Sequence, residues 1–107
     1  MALPSGLSVT LYDVIHDEGA PVARFRFLLP QIAPEAGALP FDALIDDLAF
    51  LCESVALPQA RAAGHAPEQI VVSVSAVEVP FGQISADVTQ YFQPYAVDGD
   101  RCIWEDF

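Results

Sequence analysis

Apolar and polar residues alternate along the first third of the chain, and the period then changes. Residues 7–15 place Leu7, Val9 and Leu11 on one side and Ser8, Thr10 and Tyr12 on the other, the pattern of a half-buried strand. His16-Asp17-Glu18-Gly19-Ala20-Pro21 has the composition of a turn. Residues 22–29 alternate again, with Phe25, Phe27 and Leu29 facing one way and Arg24, Arg26 and Leu28 the other. The two strands are expected to pair as an antiparallel hairpin. A loop rich in Pro, Ala and Gly follows over residues 30–40. Phe41, Leu44, Ile45, Leu48, Cys52 and Val55 then recur at three- and four-residue spacing, which predicts an amphipathic helix. Pro40 suits its first turn, where a missing N–H costs nothing. Asp42, Asp46, Asp47 and Glu53 fall largely off the apolar stripe, and the early acids suit the helix dipole. Pro58 is expected to end or kink this helix, with a short helical turn following through Arg61.

The second half returns to strands. Residues 69–79 carry β-branched side chains on both faces, as expected of a central strand covered on both sides. Pro80-Phe81-Gly82 ends it, and residues 83–89 read as a loop or a helical turn. Residues 90–97 and 101–106 are expected to form a terminal hairpin around Asp98-Gly99, a type I′ signal. That turn would pair Tyr95 with Cys102 and Gln93 with Trp104. Cys102 and Trp104 would share one face, and Arg101, Ile103 and Glu105 the other. The expected fold is α+β, one domain over residues 1–107: a mainly antiparallel sheet of about five strands, in chain order β-β-α-β-β-β, with one long helix packed on one face.

Composition sharpens this picture. The chain has 107 residues, 53% of them hydrophobic and 18% charged, which is a globular and not a disordered composition. No apolar stretch approaches the ~20 residues that span a bilayer, so membrane insertion is not expected. Fifteen acids against four bases give a net charge of −11. All four bases are arginines: Arg24, Arg26, Arg61 and Arg101. A field of this sign opposes nucleic acid, whose binding requires phosphate neutralisation, and opposes anionic membrane surfaces. It would steer the chain toward a basic protein partner.

Candidate chemistry is sparse. His16 and His65 have no nucleophile nearby in sequence and read as surface residues, and Ser54, Ser73 and Ser75 lack a nucleophile-elbow context. Asp42, Asp46 and Asp47 read as a solvated acidic face. Asp98-Gly99-Asp100 lacks the further ligands of a calcium loop. No phosphate-binding glycine motif is present, and two cysteines with two distant histidines do not make a metal site. No catalytic residue, cofactor or metal is therefore assigned. Arg24 and Arg26 lie two apart on one strand, so their guanidiniums, about 7 Å apart, project from one face and would suit a carboxylate or phosphate. The alternative is that they pair with acids on neighbouring strands, such as Glu78. The aromatic residues near the C-terminus offer a partner surface, for which Tyr91, Phe92, Ile103 and Phe107 are the candidates. Cys52 lies on the helix stripe and Cys102 beside Trp104. Spacing alone leaves a disulfide and two reduced, buried thiols equally open.

Arg24-Phe25-Arg26-Phe27 with Pro30-Gln31-Ile32-Ala33, Leu51-Cys52 with Ala56-Leu57-Pro58, Val88-Thr89-Gln90-Tyr91-Phe92 and Cys102-Ile103-Trp104-Glu105 together resemble an uncharacterised family of small exported bacterial proteins. The resemblance covers nearly the whole chain and supplies no catalytic residues. It implies a periplasmic or otherwise exported setting and, through that oxidising compartment, a Cys52–Cys102 disulfide. The acetolactate synthase label sometimes attached to such proteins does not fit, because a chain this short cannot hold thiamine-dependent domains. The function expected is that of a non-enzymatic periplasmic accessory or adaptor domain that binds another protein. The alternatives are a carrier of a small anionic ligand on Arg24 and Arg26, and an acidic inhibitor of a basic or nucleic-acid-binding protein.

Overall fold

The computed structural model describes residues 1–17, 19–83 and 87–105. Five strands form one sheet in the order β1-β2-β3-β4-β5: β1 (Thr10–His16), β2 (Val22–Leu28), β3 (Gln69–Ser75), β4 (Gln90–Asp98) and β5 (Arg101–Trp104). Three of the four pairings are antiparallel. The fourth, β2 with β3, is parallel, so the sheet is mixed. The reason is topological. The helical segment between β2 and β3 carries the chain back across the sheet, and a crossover of this kind delivers the next strand in the same direction.

The helical run begins with a 3₁₀ turn, Phe41–Leu44, preceded by Pro40. It continues through α1 (Ile45–Phe50), a π-helical segment (Leu51–Ala56) and α2 (Leu57–Ala62). Pro58 neither ends nor breaks it. The Leu57 N–H bonds back to the Cys52 carbonyl, a five-residue step. The wider π turn relieves the clash that a proline ring makes with the carbonyl four residues earlier. No helix among the described residues is long and apolar enough to cross a membrane.

This run covers one face of the sheet. Leu44, Leu48, Leu51, Cys52, Ala56, Leu57 and Ala60 pack with Phe25, Phe27, Ile70, Val72 and Tyr95 in one buried cluster. The inward Phe25–Phe27–Leu29 face is buried as expected, and so are Leu44, Leu48 and Cys52 of the expected helix stripe; Phe41 and Val55 are half-buried against the core, and Ile45 is exposed. One acid, Asp47, departs from the expected solvated face. Asp47 is only 2% exposed and accepts hydrogen bonds from the Ser5 backbone N–H and hydroxyl, which fastens the N-terminal segment to α1. Glu53 accepts the Cys102 backbone N–H at 3.0 Å.

The disulfide is present: Cys52 and Cys102 are bonded, with Cα atoms 6.1 Å apart. It ties the π-helical segment to β5. The terminal hairpin is shifted from its expected register. Tyr95 pairs with Trp104 and Val97 with Cys102, and Asp98 pairs with Arg101 across Gly99-Asp100. Gly99 (φ +62°) occupies the first central position of the turn and Asp100 has a negative φ, which is the type II′ pattern and not I′. A slip of two residues preserves the faces, so Cys102 still points toward the helix.

Candidate binding site on the uncovered sheet face

Among the described residues, no helix lies over the opposite face of the sheet. Alternation and register place Arg24 and Arg26 of β2, Val71 and Ser73 of β3, Gln90 and Phe92 of β4, and Arg101 and Ile103 of β5 on this face. Three of the chain's four arginines therefore lie on one side of a strongly acidic molecule. The segment following β3 folds back over part of the face, and its Val79 carbonyl accepts a hydrogen bond from Arg26 Nη2 at 2.6 Å. The Phe81 ring lies 5.7 Å from the Arg24 guanidinium and 5.6 Å from that of Arg26. Between this segment and the sheet is a cavity of about 220 Å³, bounded by Arg24, Arg26, Ser73, Phe81, Gln90 and Phe92 among others.

Both arginines have carboxylate partners, from β1 and the turn after it and not from Glu78. Arg26 Nη1 lies 2.8 Å from Asp13 Oδ2, and Arg24 Nη2 lies 3.2 Å from Asp17 Oδ2. A β-bulge between Leu11 and Asp13 makes the first pair. Without it, Asp13 would share the Leu11 side, which faces Phe27 and the core. The extra residue turns Asp13 onto the Arg26 side and leaves the Tyr12 ring 5.1 Å from the guanidinium. Arg26 is thus held on three sides and only 7% exposed, whereas the Arg24 side chain is 35% exposed.

The four candidates for a partner surface separate. Phe92 (51% exposed) and Ile103 (43%) lie on the uncovered face. Tyr91 lies on the helix side: its hydroxyl donates to the Leu39 carbonyl at 2.8 Å and its ring meets Phe41 edge-on. Phe107 lies outside the described residues. Sequence reasoning missed Phe81, Ser73 and Gln90. Phe81 followed a strand-ending proline and carried no period, and the two polar residues looked like ordinary strand positions.

His16 and His65 lie outside this site; His65 is exposed and His16 half-buried, and the two are in contact. Their rings stack, with centroids 3.6 Å apart and planes within 9°, which joins the end of β1 to the loop after α2. Burial lowers the His16 pKa from its ordinary value, and the neighbouring His65 adds to that. The folded state therefore favours neutral His16. Its contribution to stability is present above the ordinary imidazole pKa and is lost as pH falls through the folded value. The urea midpoint should fall between pH 7.5 and 5.5, and His16→Gln should flatten that fall. A midpoint that falls equally in the variant would assign the dependence to other groups.

Among the described residues there is no cluster of three or more His, Cys, Asp or Glu side chains able to hold a metal. No curated protein and no solved structure matches the chain. A family model described as "Family of unknown function (DUF6497)" does match, over residues 1–107, and the chain belongs to that family.

Proposed function

We propose that the chain is a non-enzymatic binding module of an exported compartment, and that it engages another protein across the uncovered face of its sheet. The observation that carries this is the exposure of Phe92 and Ile103 on a face that no helix among the described residues covers, while the helix and the disulfide lie on the opposite face. Large exposed apolar side chains grouped on one face of a small domain are what interfaces bury. The charge distribution adds selectivity. A net charge of −11 draws a basic partner at long range, and the arginines of this face leave the contact zone less negative than the rest of the molecule. The Cys52–Cys102 disulfide is compatible with export, because such bonds persist in oxidising compartments.

The test is a photo-reactive phenylalanine analogue placed at Phe92 and, as a control on the helix side, at Gln59, in the protein expressed in its native host. A discrete adduct at position 92, absent at 59 and abolished by Ile103→Asp, is the expected result. Equal labelling at both positions, or none at 92, would overturn the proposal.

A further inference from the structure

We propose that the cavity beneath Phe81 is a binding site for a small apolar group bearing one carboxylate. Three observations bring the site to this chemistry. First, its polar groups are unspent. Ser73 is 7% exposed and borders the cavity, yet its hydroxyl has no hydrogen-bond partner among the described residues. The Gln90 amide also has none there. Arg24 binds Asp17 through Nε and Nη2 only, which leaves both hydrogens of Nη1 unused. A hydroxyl that borders the cavity and is not engaged by the protein can donate to an acceptor that enters it.

Second, the charge bordering the cavity is of one sign. Arg24 and Arg26 border it and, among the described residues, no Asp or Glu does. Asp13 and Asp17 approach the guanidiniums from the β1 side and hold them in place. Arg26 is fixed by Asp13, the Val79 carbonyl and the flanking rings of Tyr12 and Phe81. The more exposed Arg24, with its bonds to Asp17 at 3.2–3.4 Å, is the one free to turn a donor inward. An entering carboxylate would meet preorganised donors, and charge-assisted bonds of this kind are stronger than neutral ones.

Third, the walls are apolar: Phe81 on the folded-back segment, Phe92 on β4, and Val71 on the floor. A volume of about 220 Å³ is smaller than the roughly 300–1,000 Å³ of sites for drug-sized molecules. It suits a ring or branched side chain with one carboxylate attached. Two sources share that chemistry, a free carboxylic acid and the C-terminal residue of a polypeptide. For the second source the inference rests on the partner-binding proposal above, since Phe92 borders both surfaces.

Titration calorimetry on the oxidised protein separates these cases. The probes are 3-phenylpropionate and its amide, and a short peptide ending in phenylalanine with its carboxyl free or amidated. The expected result is saturable binding of at least one carboxylate form, with its amide at least tenfold weaker. Arg24→Gln should weaken that binding by roughly tenfold or more, the usual worth of a hydrogen bond to a charged group. Ser73→Ala should weaken it less. Thermal unfolding confirms that both variants fold. Binding of the acid assigns the site to small molecules, and binding of the peptide alone assigns it to a chain terminus. Equal binding of acid and amide, insensitivity to Arg24→Gln, or no binding of either carboxylate would overturn the inference. The adduct at position 92 is read independently, so loss of one result leaves the other standing.

Discussion

Replacing Cys52 and Cys102 together by alanine is expected to lower the unfolding free energy by roughly 4 kcal/mol. The bridge spans a sequence separation of 50 residues, and chain-entropy arguments for a loop of that size give about this value. For a domain of this length, that loss should lower the melting temperature by about 15–25 °C. The cost falls unevenly. β5 is a four-residue edge strand whose ladder is shared with β4 alone. It is also tied to the helical run by the disulfide, by the bond from the Cys102 N–H to Glu53 and by the packing of Trp104 on Phe41. Once the covalent link is lost, β5 should open before the rest of the sheet, and amides 101–104 should exchange well before those of β3. Thermal unfolding of the wild type with and without reductant, beside the double variant, measures the first effect. Hydrogen exchange measures the second. Oxidised and reduced forms with melting temperatures within a few degrees would show that the bridge reports the compartment without supporting the fold.

Local periodicity carried most of the architecture. The inward face of β2 and most of the apolar stripe of the helix follow from alternation and three-to-four spacing and face the core, with Ile45 the stripe position that turns outward. What could not be read depended on non-local geometry or on one-residue irregularities. The parallel pairing of β2 with β3 is decided by where the helix returns the chain, and neither strand's sequence encodes it. The helix passes Pro58 because a π segment absorbs the proline, and no residue type announces a π turn. The Asp98-Gly99 dipeptide correctly marked a tight turn. The turn settled with Gly99 first, where its positive φ satisfies type II′, and the pairing moved by two. The site was half legible. Arg24 and Arg26 stood out by spacing, and their pairing with nearby acids was foreseen as the alternative, but with Glu78 as the example; the bulge at Tyr12 that turns Asp13 toward Arg26 leaves no mark in the hydrophobic pattern. Asp47 was misjudged for a related reason. Its neighbour Ser5 arrives from the far end of the sequence and turns a nominally solvated acid into a buried anchor.

Tyr95 should respond to two substitutions with opposite signs. It is 1% exposed, on the helix side of β4 between Ile70 of β3 and Trp104 of β5, and its ring meets Trp104 edge-on with centroids 6.1 Å apart. Its hydroxyl is buried and has no hydrogen-bond partner among the described residues. Tyr95→Ala removes the largest fully buried side chain of the core and is expected to cost about 3–5 kcal/mol, the usual range for an aromatic truncation. Tyr95→Phe keeps the ring and deletes only the orphaned hydroxyl. It should be stabilising by about 1–2 kcal/mol, because a buried unsatisfied polar group costs roughly that much. The same burial, with the Glu53 carboxylate adding to it, holds the Tyr95 phenol well above the ordinary tyrosine pKa of 10.0. The neutral form is thus favoured in the folded state, and this contribution is complete below pH 10 and lost as pH rises past it. Tyr95→Phe should therefore gain further on the wild type above pH 10. Urea unfolding of the three proteins at pH 7 and pH 10.5 measures all of this. If Tyr95→Phe instead lost about 1 kcal/mol at pH 7, the hydroxyl would have to be hydrogen-bonded in solution, and its burial would count among the interactions that hold the helix to the sheet.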